Sequence, residues 1–366
     1  MFKISIFDKY IFKQVFLATI VCLLLFIIVW IAPETLVRII KKLFTNHISL
    51  IQAGQMLLWE LPKVLGKALP VGILLGSIFT FDKLSKDSEL SILRGIGLSF
   101  NRIMIPVVFL GMILSVFCFY VGDKMIPSAS KAEGENKNFK THFVYIQKDK
   151  DKLPKTGVIV SNFTPNSLKN IFVIDFSKRR YDDAITFENI LFSDWASVHD
   201  DKWVLHNVTK YGINPGGIYN KETKPGDVEI LKGEDAKKIY ALMVDSTKRD
   251  RTFTNAELTS YMKLLKEQEF TDEYRFMLSK YYQRFLHPLT CILFAIIGCL
   301  LGFSPPRSQR LVGFTVAVGM IFAYYITLPF FDLLAQKGVL PPFLASAFPI
   351  LMFIFAIIFI KKYKDL

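Results

Sequence analysis

Apolar residues along the chain are gathered into long blocks separated by polar segments, rather than repeating at a helical or strand period. Six blocks approach or reach the roughly 17 to 25 residues that a helix needs to cross a membrane. They cover residues 15–32, 64–81, 103–121, 285–303, 311–331 and 343–360. The first block is followed by no small-residue cleavage site, so it is interpreted as a permanent span. The pattern predicts an α-helical polytopic membrane protein with six transmembrane helices.

Between the third and fourth blocks the chain turns polar, over residues 127–271. Short β-branched and aromatic runs recur there about every 10 to 15 residues, such as FVYI, GVIVSNF, NIFVIDF and KWVLHNV. Turn-forming segments at 164–167, 199–201, 214–217 and 224–227 separate them. This pattern predicts an inserted all-β domain built as a sandwich, a jelly roll or an open barrel.

A connecting helix is predicted after the strands, because apolar residues return at helical spacing. These are Leu258, Tyr261, Met262 and Leu265. The predicted organisation is spans one to three over 1–126, a β-domain over 127–271, and the end of the connecting helix with spans four to six over 272–366.

The composition agrees with a membrane protein, since 52% of residues are hydrophobic. A net charge of +13 could indicate nucleic acid, but in a membrane chain the location of Lys and Arg matters more than their total. If the N-terminus lies inside, the inner side receives Lys3, Lys9, Lys13, Lys83, Lys86, Arg94, Arg102, Arg307, Arg310, Lys361, Lys362 and Lys364. The short outer loops receive Arg38, Lys41, Lys42, Lys63, Lys67 and Lys337. Both termini are therefore expected in the cytoplasm and the β-domain outside, with no nucleic-acid partner.

The segment DKLSKDSELSILRGIGLS, residues 82–99, predicts a short helix at about 85–97 between spans two and three. Asp87 or Ser88 can begin this helix, and Gly95 and Gly97 can end it. Its two faces differ, with Leu90, Leu93 and Ile96 forming an apolar stripe and Glu89 and Arg94 left on the polar side. Such a helix could lie on the lipid surface or fit a groove in a cytoplasmic partner, and the pattern alone leaves both open.

Three cations, Arg38, Lys41 and Lys42, follow the first span at helical spacing, at the depth of the lipid headgroups. They could anchor the helix at the interface or hold the phosphates of an anionic lipid. Their position on the side where positive charge is disfavoured argues for the second interpretation. In the second span, Pro62 and Pro70 fit either a helix that moves or a static kink.

No catalytic site can be assembled from the sequence. The five histidines show no metal-ligand spacing, and neither a GxSxG elbow nor a GxxxxGK[ST] phosphate loop occurs. If ATP drives this protein, another chain must bind it. Cys22, Cys118, Cys291 and Cys299 all fall within predicted spans, so no disulfide framework is implied.

These segments together resemble the lipopolysaccharide-export permeases LptF and LptG, also called the YjgP/YjgQ family. The most specific likeness is ELPKVLGKALPVGILLGSIFTFDKLSKDSELSILRGIGLS, residues 60–99, which is similar to the family's second span and coupling helix. FDKYIFKQVF at 7–16 resembles the entry into its first span. PLTCILFAIIGCLLGFSPPR and GVLPP resemble its fourth span and last outer loop. The β-domain agrees in architecture only.

The resemblance implies a non-catalytic permease subunit in the bacterial inner membrane. Family members pair as two homologous permeases on a dimeric cytoplasmic ABC ATPase, which binds the ATP. They extract lipopolysaccharide from the membrane and pass it to a periplasmic bridge of β-jellyroll proteins. By this likeness the coupling helix contains Asp87, Glu89, Leu90, Leu93 and Arg94, and Glu89 matches a glutamate that contacts an arginine of the ATPase. Arg38, Lys41 and Lys42 fall where the LptG branch has lysines that face lipid phosphates.

Two other functions fit the residues. A permease of another envelope ABC machine would have four spans rather than six. A structural anchor that presents a β-domain to envelope partners would tolerate Glu89→Lys. A membrane enzyme acting on lipid fits least well, because the sequence offers it no site.

Overall fold

The computed structural model describes residues 5–45, 48–133, 143–148, 154–164, 167–181, 184–199, 202–213, 219–224, 227–246, 248, 250–303 and 312–364. Within this chain, Met1–Glu133 and Asp250–Leu366 form one compact unit, and Gly134–Arg249 forms a second. The predicted domain boundaries are placed differently, at 126 and 271. The four predicted turns fall wholly or partly outside the described residues, as do Lys3, Arg307 and Arg310.

The first unit is helical. Its helices are α1 (Ile6–Ile31), which continues through a π turn (Ala32–Leu36) into α2 (Val37–Phe44), then α3 (Leu50–Lys86), α4 (Glu89–Gly95), α5 (Phe100–Tyr120), a second π turn (Val121–Met125) and α6 (Ile126–Glu133). After the second unit come a 3-10 turn (Asp250–Thr252), α8 (Asn255–Glu267), α9 (Thr271–Gly302), α10 (Val312–Gln336) and α11 (Pro342–Tyr363). Six helical stretches among the described residues are long and apolar enough to cross a membrane, which confirms the predicted spans.

The helix α3 is the centre of the helical unit. Its 37 residues span about 55 Å, more than the roughly 30 Å hydrocarbon core. In its most apolar 18-residue window 72% of residues are buried, against 17% in α1 and 11% in α10. The helices α1 and α10 therefore leave most of these apolar windows outside the core of the helical unit, while α3 packs inside.

Two glycines allow neighbouring helices to approach α3 closely. A Cβ built on Gly76 would lie 2.6 Å from the backbone nitrogen of Thr19 in α1. On the α9 side, a Cβ on Gly298 would lie 2.7 Å from the carbonyl oxygen of Leu74. Even an alanine at either position would push two backbones apart, so these glycines set the spacing of α1, α3 and α9.

The second unit is an antiparallel sheet followed by one helix. Its strands are β1 (Phe143–Lys148), β2 (Pro154–Thr164), β3 (Ser167–Tyr181), β4 (Ala184–His199), β5 (Lys202–His206), β6 (Val208–Ile213), β7 (Tyr219–Lys224) and β8 (Val228–Lys232). They pair in the order β1-β2-β3-β4-β5-β8, and β6 joins β4 to β7. The helix α7 (Gly233–Ser246) packs on β5 and β8. The inserted all-β region is thus confirmed.

Strand alternation gives this sheet one buried and one partly exposed apolar row. Tyr145, Val158 and Val173 lie opposite one another on β1, β2 and β3 and are buried. On the other face, Val144 and Phe172 are exposed. The successive residues of each strand point to opposite faces, which explains the alternation.

Candidate functional site

The segment between α3 and α5 forms a short helix held between two spans. The chain leaves α3 at Asp87 and turns at Ser88, whose φ of 62° lies in the left-handed region. The helix α4 ends in a Schellman pattern, in which Gly97 N–H donates to the Arg94 carbonyl at 3.0 Å and Leu98 N–H to the Leu93 carbonyl at 3.2 Å. Gly97 has a φ of 92°, as this motif requires. The two-residue connection from α3 and the four-residue connection to α5 leave α4 little freedom to move independently of these spans.

One side of α4 is embedded in the helical unit. Leu90 is fully buried in the same apolar cluster as Phe81, Leu84 and Phe100, and Leu93 packs against that cluster. Burying a leucine side chain stabilises by about 1.5–3 kcal/mol, so this contact fixes α4 to α3 and α5. Leu90 and Leu93 therefore act as the attachment of α4.

The predicted apolar stripe of α4 does not include Ile96, so the prediction is wrong for this residue. Ile96 is the residue after the last helical turn and is 71% exposed, together with Ile92 on the outer side of α4. The helix stops at Gly95, so the spacing that would align Ile96 with Leu93 does not apply. The outer side of α4 consequently carries two exposed isoleucines.

Glu89 and Arg94, the predicted polar residues of α4, both contact other elements of the chain. The Tyr10 hydroxyl of α1 donates to the Glu89 carboxylate, with 3.1 Å to each oxygen. The guanidinium of Arg94 lies 5.4 Å from the ring centre of Phe303, just after α9. Asp87 caps the end of α3 through its backbone and is exposed.

A second contact joins α1 to the far side of this segment. Arg102, at the start of α5, makes a bidentate ion pair with Asp8 of α1, with N–O distances of 2.6 and 2.7 Å. Planar two-bond pairs of this kind are among the stronger charge-assisted interactions. The start of α1 therefore contacts the first residue of α4 and the start of α5.

The other predicted cluster lies at the opposite ends of the spans, on α2. Arg38, Lys41 and Lys42 are all exposed, and Arg38 lies 3.6 Å from Glu60 of α3. The ammonium groups of Lys41 and Lys42 form no ion pair within the described ranges. The structure thus brings the three cations onto one short exposed helix, well away from α4.

A cavity of about 420 Å³, which we call the distal cavity, lies among the helix ends opposite α4. It reaches Lys63 on α3, about 35 Å along that helix from Lys86. Its walls come from all six spans, α1, α3, α5, α9, α10 and α11, and from α6, α8, the second π turn and the 3-10 turn at 250–252. Sequence reasoning missed this cavity, because its residues are spread over the whole chain.

One backbone hydrogen bond is missing from α3 at the wall of this cavity, and side chains replace it. Pro70 has no N–H, so the Gly66 carbonyl four residues earlier loses its helical partner. Two side chains replace it, with Nε2 of His287 at 3.2 Å and Sγ of Cys118 at 3.7 Å. A carbonyl only accepts, so Nε2 carries a proton, and Nδ1 lies 2.5 Å from the Tyr324 hydroxyl.

Buried polar groups join α9, α10 and α11 beside the same cavity. Asp332 on α10 is almost fully buried. Its carboxylate accepts from Ser279 Oγ at 2.8 Å and from Gln283 Nε2 at 2.6 Å, and pairs with the Lys280 ammonium. An ionised group at membrane depth is tolerated when it is paired and hydrogen-bonded in this way.

The connecting helix α8 is tied to α6 by an ion pair of 2.6 Å between Lys131 and Glu257. Burial raises the pKa of Glu257, but hydrogen bonds from Lys131 and from the Thr254 N–H outweigh it and hold the pKa below its usual value.

Among the described residues, no group of three or more His, Cys, Asp or Glu side chains could hold a metal.

Comparison with known families shows to which protein family the chain belongs. The family described as "Lipopolysaccharide export system permease LptF/LptG" matches residues 9–362. The chain belongs to the LptF/LptG family. No curated protein matches it. The family match and the six candidate spans confirm the resemblance seen in the sequence, and make this chain a multi-pass membrane permease of a lipopolysaccharide export system.

For this LptF/LptG permease, sequence reasoning found α4 and the α2 cations but missed the residues of α1 that contact the α4 segment. Asp8 and Tyr10 both lie in FDKYIFKQVF, the stretch that resembles the family's first span. That likeness was the only sign in the sequence that these residues matter. A single Asp and a single Tyr at the start of a helix do not indicate which residues they will contact.

Proposed function

We propose that this LptF/LptG permease is driven through α4 by a dimeric cytoplasmic ABC ATPase, which binds the ATP. The contact would form on the exposed side of α4, with Glu89 meeting an arginine of the ATPase. The chain would lie in the bacterial inner membrane with both termini in the cytoplasm and the β-domain in the periplasm. A second homologous permease would complete the membrane unit.

The attachment of α4 is the observation that carries this proposal. Leu90 fixes it to the apolar cluster of α3 and α5, Tyr10 of α1 contacts Glu89 at the start of α4, and Asp8 of α1 contacts Arg102 at the start of α5. A displacement imposed on α4 would therefore move three spans together, because packed helices shift as rigid elements. We propose that this narrows a cavity holding the acyl chains, formed by spans one, two and five.

The cargo in this proposal is lipopolysaccharide, whose phosphates would be held by Arg38, Lys41 and Lys42. The exposure of all three on α2 supports this role. The expelled lipid would leave along the apolar interior of the β-domain, where Tyr145, Val158 and Val173 form a continuous row. An open strand edge would then pair with the periplasmic jellyroll bridge by β-augmentation.

The ATPase contact is tested by affinity purification of the full chain in mild detergent. We expect an ABC ATPase and a second six-span permease to co-elute with the wild type. Glu89→Lys should lower recovery of the ATPase about tenfold or more, because it places like charges opposite each other. Lys362→Glu is the matched control, since it reverses an exposed charge at the same ends of the spans. Equal ATPase recovery with Glu89→Lys would favour the structural anchor.

The cargo contact is tested by photo-crosslinking from α2 to lipopolysaccharide in cells. Replacing Lys41 and Lys42 by Glu should reduce crosslinking several-fold while leaving the Arg38–Glu60 pair intact. Adding Arg38→Glu should reduce crosslinking further. Unchanged crosslinking in the triple variant would limit these residues to interfacial anchoring.

A further inference from the structure

Three polar side chains of the second unit form a hydrogen-bonded chain across neighbouring strands. The Oγ atom of Ser197 in β4 lies 2.9 Å from Nε2 of His206, the last residue of β5. On the other side of the ring, Nδ1 of His206 lies 2.6 Å from Oδ1 of Asp227, the residue before β8. A serine hydroxyl, an imidazole and a carboxylate in this order form the arrangement that activates a serine as a nucleophile.

The register of the sheet explains why these residues meet. Trp195 of β4 lies opposite His206 of β5. Ser197 follows Trp195 by two positions, so its side chain points to the same face as the imidazole. The strand β8 pairs with the other edge of β5 from Val228 onward, which leaves Asp227 beside His206. The three groups therefore meet at the end of β5.

Two neighbours hold the imidazole in place. The ring of Trp195 stacks on that of His206, with 3.8 Å between the ring centres and 21° between the planes. The buried Oγ of Ser193 lies 2.7 Å from the Trp195 carbonyl and 2.5 Å from the His206 carbonyl, so it ties the backbones of β4 and β5 together. A general base works from a fixed position, because proton transfer requires hydrogen-bond geometry.

The positions of the protons follow from the partners. A carboxylate only accepts, so Nδ1 of His206 carries a proton in its bond to Asp227. In the neutral ring Nε2 is then the acceptor, and it can take the proton of the Ser197 hydroxyl. Ser197 and His206 are half-buried and Asp227 is exposed, so the group is open to a reagent from solvent.

We propose that Ser197 is a nucleophile that accepts an acyl group from a carboxylic ester, with His206 as its general base and Asp227 as the positioning residue of the ring. The exposed ring of Trp195 beside His206 offers an apolar surface to the acyl group. This activity goes beyond the proposed function, because its residues lie in the second unit and none belongs to α4 or α2.

The reaction needs only the ester and water. Ser197 Oγ bonds to the carbonyl carbon while its proton passes to Nε2 of His206. The ester C–O bond then breaks, and the leaving oxygen takes the proton from Nε2 and departs as an alcohol. Water attacks the acyl-serine with the same base, which releases the carboxylic acid and restores the serine hydroxyl.

The test is covalent labelling of the full chain in detergent with an alkyl fluorophosphonate, which bonds to an activated serine with loss of fluoride. Wild type should gain one adduct, and peptide mass spectrometry should locate it on Ser197. His206→Gln should lower the labelling rate about 100-fold or more, the usual contribution of a general base. Hydrolysis of p-nitrophenyl acetate should fall in parallel.

The role of Asp227 is tested by two substitutions of one side chain. Asp227→Asn should lower the labelling rate about tenfold or more, because an amide no longer fixes the tautomer of the ring. Asp227→Glu keeps a carboxylate and should recover part of that loss. Equal unfolding temperatures of the two variants separate this effect from loss of structure.

Ser161→Ala is the matched control, because Ser161 is a half-buried serine of β2 that lies outside this group. It should be labelled on Ser197 at the wild-type rate, whereas Ser197→Ala should lose the adduct. The absence of an adduct on Ser197 of folded wild type would overturn the proposal and reduce the three residues to a fastening between strands. Glu89→Lys should be labelled normally, so this result is read separately from the ATPase co-purification.

Discussion

The Tyr10 hydroxyl lies 3.1 Å from both carboxylate oxygens of Glu89, which joins the first span to α4. The carboxylate proposed to meet the ATPase is thus already bonded within the permease. An arginine approaching Glu89 would share or displace the tyrosine. Docking of the ATPase would then change a contact of α1 directly, as well as pushing on α3 and α5.

Tyr10→Phe tests this link, because it keeps the ring and removes only the hydroxyl. We expect the free energy of unfolding to fall by about 0.5–1.5 kcal/mol, the usual net value of one hydrogen bond. ATPase recovery should remain at the wild-type level, while lipopolysaccharide release per ATP hydrolysed should decrease in reconstituted vesicles. If Tyr10→Phe releases as much lipopolysaccharide per ATP hydrolysed as the wild type, the motion of α4 reaches α1 through contacts other than this hydrogen bond.

Gly76→Ala should separate α1 from α3. Its Cβ would lie 2.6 Å from the Thr19 nitrogen, and overpacking of this kind costs about 1–3 kcal/mol. Gly54→Ala is the control in the same helix, since nothing lies within 4 Å of its Cβ, and it should be neutral or stabilising by up to about 1 kcal/mol. Denaturation in detergent measures both, and equal stability of the two variants would contradict the close contact.

His287→Leu should destabilise the break in α3, because it leaves the Gly66 carbonyl and the Tyr324 hydroxyl without their imidazole partner. The expected loss is about 1–3 kcal/mol. Pro70→Ala restores a backbone N–H that can bond the Gly66 carbonyl, so it should recover about 1 kcal/mol in the His287→Leu background. A double-mutant cycle measures this coupling, and strictly additive effects would show that His287 does not substitute for the missing N–H.

Asp332→Leu should be strongly destabilising, by about 3–5 kcal/mol, because it removes an almost fully buried carboxylate and leaves the half-buried Lys280 ammonium only the more distant Asp250, at 4.0 Å. The double variant Lys280→Met with Asp332→Leu should recover most of that loss. The exposed pair Lys86–Asp82 provides the comparison, since Lys86→Met should cost less than about 1 kcal/mol. If the double variant is no more stable than Asp332→Leu, the loss has another origin.

The six spans could be predicted because crossing a membrane demands long apolar runs, and these are visible in any one sequence. Strand alternation and turn residues similarly predict the β region. The true length of α3 was missed because its first turns, from Leu50 onward, carry Gln and Glu and fall below a hydropathy threshold. The sequence also places α4 correctly, although Ile96 lies beyond its last turn.

Contacts between distant segments could not be predicted. Glu89 with Tyr10, Asp8 with Arg102, and His287 with Gly66 join residues 79 to 221 positions apart. Each depends on which helices pack together, and apolar spans of similar composition do not specify their neighbours. Pro70 did signal an unpaired carbonyl at Gly66, but the sequence could not say which side chain would bond it.

The contact at Gly76 divides α3 into two unequal arms, about 15 Å towards α4 and about 39 Å towards Leu50 at 1.5 Å per residue. If α3 rotates as a rigid body about this contact, a displacement of its α4 end is accompanied by a displacement about 2.6-fold larger at its Leu50 end. The side-chain bonds to the Gly66 carbonyl support that long arm at Pro70. Spin-label distances from residues near each end to α9 would reveal the ratio, and equal excursions at both ends would exclude leverage.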